Sequence, residues 1–155
     1  MCKIFALASA LVVVVGATAL NPAGRAEDVA AIDTSKFQPL TCRNGTYGPS
    51  DVQAGRMATE CTNYGVEAGQ QNPNCVYFCQ SEILGLLNTD GLPSRIGYDT
   101  FAEHTIVPEY RTMAIDWFRE CFDKYGDQID KTDTECKAAG QLNTCTWSIQ
   151  PKLIC

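Results

Sequence analysis

Histidine is nearly absent from the sequence, since His104 is the only one among 155 residues. It stands between Glu103 and Thr105, so the helical His-Asp pair of a small secreted phospholipase is missing. A Ser-His-Asp or Cys-His set is equally hard to assemble around it, because the cysteines are expected to be oxidised. We therefore predict that the protein is not an enzyme, and we expect neither a cofactor nor a metal site.

Basic runs are also missing, and no aromatic residues alternate with basic ones. The 12 basic residues are outnumbered by 18 acidic residues, which gives a formal net charge of -6. Nucleic acids are bound by basic patches, and anionic membranes attract polybasic segments. The charge balance therefore argues against both as partners. Convincing strand runs, internal repeats and low-complexity segments are missing as well, so we expect one mostly helical domain.

One long apolar run is present, and it lies at the N-terminus. A short positive start that contains Lys3 precedes apolar residues 4–15 and the small residues 17–19. This order is typical of a secretory signal peptide, and the run is too short and wrongly flanked for a membrane span. We therefore predict a signal peptide over residues 1–19, one domain over residues 20–155, secretion to the extracellular space and no membrane insertion.

Cysteine is abundant, with nine in the chain. Removal of Cys2 with the signal peptide leaves eight, and an even number in a secreted chain predicts four disulfides. The remaining chain is long enough to bury a real core. The disulfides are therefore available to compensate for a core that is partly hollow.

Apolar residues at helical spacing predict five helices, over residues 50–64, 74–87, 98–104, 108–125 and 132–143. Ser50 with Gln53, and Thr132 with Glu135, have the spacing of capping boxes. Asn74 is placed to cap the second helix. A weak apolar face before residue 41 predicts either a further short helix or an arm.

Residues 41–49 are rich in glycine and asparagine, and we expect a loop there. Asn44 begins an Asn-Gly-Thr sequence, which is a glycosylation acceptor where a surface loop is expected. At the other end, residues 146–155 are unusually apolar for a C-terminus. A disulfide at Cys155 would hold this segment on the body, so that Trp147, Ile149 and Leu153 cover the mouth of a cavity; the alternative is that the tail fills a surface groove.

Large apolar side chains are more numerous than a core of this size requires. A carrier of apolar molecules needs only a dry cavity and one or two polar groups. The candidate pocket residues are Phe78, Leu87, Tyr98, Phe101, Tyr110, Met113, Trp117, Phe118 and Trp147. Met113 and Trp117 are the strongest candidates, because they lie midway along the longest apolar stripe. The same spacing also describes ordinary core packing, so a solid core is the alternative for each residue.

The cysteine spacing carries a resemblance to a known family. Three residues separate Cys75 from Cys79, and then 41, 14 and 8 residues separate successive cysteines up to Cys145. This spacing, with the stretch CQSEILG from Cys79 and the stretch ECTNYGV around Cys61, resembles the insect odorant-binding (pheromone/general odorant-binding) proteins. The resemblance covers about residues 50–145. The extra Cys155, with Pro151 nearby, resembles the Plus-C branch or an atypical eight-cysteine branch, whereas the 13 residues between Cys61 and Cys75 are fewer than the family usually has.

That resemblance implies an all-α, compact bundle of about five to six short helices, cross-linked by disulfides around an apolar cavity. It implies the bonds Cys61–Cys79, Cys75–Cys136 and Cys121–Cys145, with Cys42–Cys155 as an additional bond. The alternative exchanges Cys42 with Cys61. The implied function is reversible binding of a small hydrophobic ligand such as an odorant or pheromone, with a polar contact from Tyr98 or Tyr110. A chemosensory receptor and a second copy of the chain are the implied partners.

Two other functions fit the same features. Salivary or haemolymph relatives of such carriers sequester amines or lipids, and a secreted protein with a solid core would bind a macromolecule through its surface. His104 lies near a helix boundary, and its ordinary pKa makes it a candidate pH switch. An exposed histidine without such a role is the alternative.

Overall fold

The computed structural model describes residues 32–62, 72 and 74–155. In these ranges a β-hairpin precedes five α-helices. The elements are β1 (Thr41–Arg43), β2 (Thr46–Gly48), α1 (Asp51–Glu60), α2 (Val76–Leu84), α3 (Arg95–Thr105), α4 (Pro108–Tyr125) and α5 (Lys137–Trp147). The fold is therefore mostly helical, and the five expected helices are present, α4 with the predicted bounds and the other four with shifted ends. The predicted signal peptide, the weak face up to residue 31 and the predicted helix end at Tyr64 lie outside the described residues.

The hairpin corrects the expectations of an all-α fold and of a loop over residues 41–49. β1 and β2 are antiparallel, with Cys42 opposite Tyr47. Asn44 and Gly45 form the two-residue turn, with φ values of 51° and 82°. Such a turn needs positive φ at both central residues, which Asn-Gly adopts readily. With three residues in each strand, no hydropathy alternation was long enough to reveal it, and the Asn-Gly pair was the available signal.

Ser50 caps α1 as predicted, because its Oγ accepts a hydrogen bond from the Gln53 amide at 3.2 Å. The side chain of Gln53 does not complete a capping box. It is buried and donates from Nε2 to the carbonyl oxygen of Lys36 at 3.2 Å. Gln53 therefore attaches the segment before the hairpin to α1.

The predicted caps of α2 and α5 are both wrong. Asn74 donates from its side-chain amide to the carbonyl of Glu135 at 3.3 Å, and α2 begins at Val76 without a side-chain cap. α5 begins at Lys137, with Cys136 at the N-cap position and no side-chain cap from it, and the Asp133 carboxylate accepts a hydrogen bond from the Lys137 amide at 3.0 Å. α5 starts and ends later than predicted, so Cys145 lies inside the helix.

α3 and α4 pack against each other around the Tyr98 ring, and α5 also packs against α4. The Tyr98 ring meets the rings of Phe118 and Phe122 edge-on, with centroids 5.2 Å and 5.1 Å apart. Such edge-to-face pairs are favourable beyond the area they bury. Pro108 begins α4 at the first helical position, as predicted, since its missing N–H has no partner there in any case.

Four disulfides join the elements in the pairs that the resemblance implies: Cys42–Cys155, Cys61–Cys79, Cys75–Cys136 and Cys121–Cys145. The bonds connect α1 to α2, the start of α2 to the start of α5, α4 to α5, and β1 to the C-terminus. Cys42–Cys155, called here the outer disulfide, has both cysteines exposed to solvent. Cys61 and Cys75, which each belong to one of the other disulfides, are buried.

The C-terminal tail (residues 148–155) lies along the hairpin. The Tyr47 amide donates to the carbonyl of Leu153 at 2.8 Å, and the Cys155 amide donates to the carbonyl of Gly45 at 3.1 Å. The Lys152 ammonium lies 3.8 Å from the centre of the Trp117 ring. The tail is therefore attached to both the hairpin and α4, in addition to the outer disulfide.

Candidate ligand-binding site

A small apolar cavity lies between the helical core and the tail. Its volume is about 30 Å³, which is room for about two water molecules. Its described lining consists of Leu40, Tyr47, Leu84, Leu86, Tyr98, Phe101, Ile106, Phe118, Thr146, Trp147, Ile149, Gln150 and Leu153. Three parts of the chain, which are the hairpin region, the helices and the tail, therefore meet around one apolar space.

The tail forms one wall of the apolar cavity. Ile149 and Leu153 are each 3% exposed, and both line the cavity. Leu40 lines it from the segment before β1, whose backbone is fixed by a 3.0 Å hydrogen bond from the Leu40 amide to the carbonyl of Thr105. Ile149 and Leu153, which we expected to cover the mouth of a cavity, thus line this cavity in the structure.

Two hydroxyl residues of the mostly apolar lining, Tyr98 and Thr146, lie next to buried hydroxyl residues that do not line the cavity. The hydroxyl oxygens of Tyr77 and Tyr98 are 2.6 Å apart and share a hydrogen bond. Ser81 and Thr146 lie beside the Tyr98 hydroxyl. The Ser81 Oγ is buried and has no hydrogen-bond partner of ordinary geometry among the described residues. The cavity therefore combines apolar walls with a few convergent polar groups, which is typical of small-molecule sites.

Burial controls the ionisation of the two tyrosines. It raises the pKa of Tyr98, and it raises the pKa of Tyr77 well above its ordinary value. The physical cause is that the phenolate would lose its hydration inside the core. Both side chains therefore present neutral hydroxyl groups at physiological pH.

Of the nine candidate pocket residues, the structure brings together Tyr98, Phe101, Phe118 and Trp147 in the lining of the apolar cavity. Tyr110, Met113 and Trp117 lie outside it and pack as partly buried residues against the core. Trp117, one of the two strongest candidates, instead donates from Nε1 to the carbonyl of Cys145 at 2.9 Å. Helical spacing identified the inner side of α4 but could not separate cavity lining from core packing.

Several lining residues were missed because they lie outside the regular helical stripes. Leu40 and Tyr47 precede α1, and Leu86 follows α2 after the left-handed Gly85. Thr146 and Gln150 were missed because they are polar, whereas the prediction rested on large apolar side chains. Of the sequence signals, only the apolar character of the tail pointed to this wall.

Phe78 and Leu87 line a different feature, a polar groove of about 620 Å³ that is open to solvent. Its described lining also includes Asp33, Lys36, Glu82, Lys131 and Asp133. The polar groove is larger than the apolar cavity. We nevertheless regard the cavity as the candidate site for an apolar ligand, because affinity for such a ligand depends on removing its surface from water.

His104 and Asn44 are both exposed. The Nδ1 of His104 lies 2.9 Å from the carbonyl oxygen of Thr100, one turn earlier in α3. Asn44 lies at the tip of the hairpin. The pH switch and the glycosylation of Asn44 stay predictions. Within the described ranges, no group of three or more His, Cys, Asp or Glu side chains is placed to hold a metal ion, and no helix has the length and apolar character to cross a membrane.

Comparison of the chain with protein-family models, with curated proteins and with solved structures found no match. The resemblance to odorant-binding proteins therefore stays a prediction, based on the cysteine spacing. The helical fold and the four cysteine pairs are the structural features that agree with it.

Proposed function

We propose that the protein is a secreted carrier that binds small hydrophobic molecules reversibly in the apolar cavity. The observation that supports this most directly is a mostly apolar space, partly open to solvent, with a hydroxyl cluster beside it. Disulfides form and persist in oxidising environments such as the extracellular space, and the four disulfides therefore support secretion. The implied odorant or pheromone, and any receptor or second copy of the chain, belong to this same proposal.

Binding requires the cavity to enlarge. Typical small-molecule sites have volumes of about 300–1,000 Å³, whereas the apolar cavity measures about 30 Å³. The tail is the wall that we expect to move, because it belongs to no α-helix. The ligand then replaces the apolar contacts that Ile149 and Leu153 make in the empty protein.

Burial of the ligand supplies the affinity. Each 100 Å² of apolar surface removed from water contributes about 2.5 kcal/mol, and part of this is offset by the lost freedom of ligand and tail. For a ligand that buries about 300 Å² this contribution is about 7.5 kcal/mol, which corresponds to a dissociation constant of a few micromolar before that offset and to a weaker one after it.

A fluorescent apolar probe tests the proposal. The probe is expected to gain intensity on mixing with the oxidised protein, and alcohols or esters of moderate length should displace it. Ile106→Phe enlarges a cavity-lining side chain that is 3% exposed, so probe affinity should fall at least about tenfold if the cavity is the site. Val52→Phe is the matched control, since Val52 is 64% exposed on α1 and outside the lining.

A secreted protein that binds a macromolecule through its surface is the second candidate. The observation that favours it is the small volume of the cavity, because a core with room for about two waters is nearly solid. Val52 and Ile154 are large apolar side chains that stay 64% and 62% exposed. If no probe binds, or if Ile106→Phe and Val52→Phe bind it equally, this second candidate replaces the carrier.

A further inference from the structure

The polar groove follows one face of α2. The residues that α2 and its two ends contribute to the lining recur at helical spacing, and they are Cys75, Phe78, Glu82 and Gly85. At a rise of 1.5 Å per residue this face is about 15 Å long. Segments 33–36, 87–91 and 131–136 supply the other described lining residues. With a volume of about 620 Å³, the polar groove has the size of a small-molecule site.

The carboxylates of the polar groove have partners within the chain or lie in solvent. Asp33 accepts hydrogen bonds from the hydroxyl and amide groups of Ser35, and these bonds lower the pKa of Asp33. Asp133 accepts from two backbone amides that lead into α5, at 2.9 Å and 3.0 Å. Glu82 is exposed and interacts electrostatically with Arg56. None of the three carboxylates therefore needs a ligand as its partner.

The two ammonium groups of the polar groove, from Lys36 and Lys131, are less engaged. Among the described residues, neither lies within 4.0 Å of a carboxylate oxygen, although Lys36 attracts Asp33 over a longer distance. The Lys131 ammonium lies over Gly91, since a Cβ on Gly91 would be 3.1 Å from the Lys131 Nζ. Glycine at position 91 therefore leaves the room that this ammonium group occupies in the groove.

Apolar surface is also part of the polar groove. Phe78 and Leu87 are half-buried and line it, and so does the disulfide Cys75–Cys136. Asn88 uses its side-chain oxygen as the acceptor for two backbone amides, each at 3.0 Å, so its NH₂ group stays available as a donor. The groove thus combines two ammonium groups, a neutral donor and an apolar surface.

From these observations we propose that the polar groove is a second binding site, which takes small organic anions that carry a carboxylate on an apolar body. Lys36 and Lys131 attract the carboxylate, while Phe78 and Leu87 contact the apolar body. The polar groove shares no lining residue with the apolar cavity, and the inference does not rest on the proposed carrier function.

The acidic net charge of the protein, -6, does not prevent this binding. Exposed charges are screened beyond about 8 Å at physiological ionic strength, so the groups inside the groove decide the charge preference. Exposed ion pairs are weak, and the dissociation constant should therefore be about 0.1–1 mM.

An NMR titration of the oxidised protein with labelled backbone amides tests the site. The ligands share one skeleton: phenylpropionate is anionic, phenylpropionamide is neutral and phenylpropylamine is cationic. Phenylpropionate should bind at least about fivefold more tightly than the other two, because only its charge is opposite to that of the lysines. The largest shifts should occur at the amides of Phe78, Leu87 and Gly91, which line the polar groove.

Lysine variants test the charge directly. Lys36→Gln and Lys131→Gln should each weaken phenylpropionate binding about 2- to 5-fold, and the double variant about 4- to 25-fold if the two act independently. Lys124→Gln is the matched control, because Lys124 is exposed on α4 and lies outside the lining. It removes the same charge and should leave the affinity unchanged. Circular dichroism confirms that each variant is folded.

Equal or tighter binding of the neutral amide or the amine would overturn the inference, and so would an unchanged affinity in the double lysine variant. Failure of phenylpropionate to bind at about 10 mM, well above the expected dissociation constant, would overturn it too. Shifts centred on Leu86 and Ile106 would show that the anion enters the apolar cavity instead. The carrier proposal is judged separately, by the effect of Ile106→Phe on probe binding.

Discussion

Removal of the outer disulfide should destabilise the protein by about 4 kcal/mol, and the size of the effect follows from the network of disulfides. The perturbation is the double variant Cys42→Ser/Cys155→Ser, which leaves both positions exposed and polar. The outer disulfide closes 113 residues of sequence. In an isolated chain, the loop-entropy model gives about 4.8 kcal/mol for a loop of that length.

The other disulfides shorten this loop in the unfolded chain. A path from residue 42 to residue 155 that crosses Cys61–Cys79 and Cys75–Cys136 follows about 42 residues of backbone, for which the same model gives about 3.9 kcal/mol. The outer disulfide is therefore worth less than its sequence separation suggests, yet it is still a large share of a typical folding free energy of 5–15 kcal/mol.

Urea unfolding under non-oxidising, non-reducing conditions, followed by tryptophan fluorescence, measures this loss. Hydrogen exchange should also become faster at the amides of Tyr47 and Cys155, which hold the tail on the hairpin. If the free energy of unfolding falls by less than about 1 kcal/mol and hydrogen exchange at these amides is unchanged, the outer disulfide does not stabilise the protein as expected. The tail would then be held by its other contacts. Wild-type protein with all four disulfides intact is the reference.

Three further outcomes are expected. A low concentration of a thiol reductant should open the outer disulfide first, since both of its cysteines are exposed, and mass spectrometry of alkylated peptides would disprove this if an inner bond opened earlier. Trp117→Phe should lower stability by about 1 kcal/mol in urea unfolding, because it loses the hydrogen bond to Cys145 and weakens the contact with Lys152; an unchanged midpoint would speak against both contacts. Burial raises the folded-state pKa of Tyr77 and Tyr98. The contribution of these two residues to the free energy of unfolding is therefore fully present below the unfolded pKa of about 10, and it is lost as the pH rises through the folded-state pKa values. The urea midpoint of unfolding should therefore decrease as the pH rises above about 10, and this decrease should be less steep in the double variant Tyr77→Phe/Tyr98→Phe. An equally steep decrease in the two proteins would show that these tyrosines are not its cause.

The helical core could be predicted from the sequence because its signals are local. The apolar stripe of α4 repeats over 18 residues, with a proline at its start. The cap of α1 at Ser50 was equally readable. Failures arose where several local signals compete, as at the start of α5, where Thr132 and Asp133 are both good capping residues and Asp133 makes the bond. Nothing in the spacing of these two residues decides between them.

The cavity was harder to predict because it depends on contacts between distant parts of the chain. Leu40, Tyr47 and Leu153 come together through the hairpin and the tail, and helical periodicity carries no information about either. The hydroxyl cluster is a second example. Tyr77 and Ser81 are buried on α2 beside Tyr98 of α3, whereas the sequence suggested Phe78 as the inward residue of that turn.

A methyl-detected NMR titration can show whether an apolar ligand binds inside the cavity. The oxidised protein, with labelled leucine and isoleucine methyl groups, is titrated with a neutral alcohol that displaces the fluorescent probe. If the ligand binds in the cavity, the largest shifts and the intermolecular contacts should occur at Leu86, Ile106 and Leu153, which line the apolar cavity. Shifts confined to Leu87 in the polar groove, or no shifts at all, would contradict it.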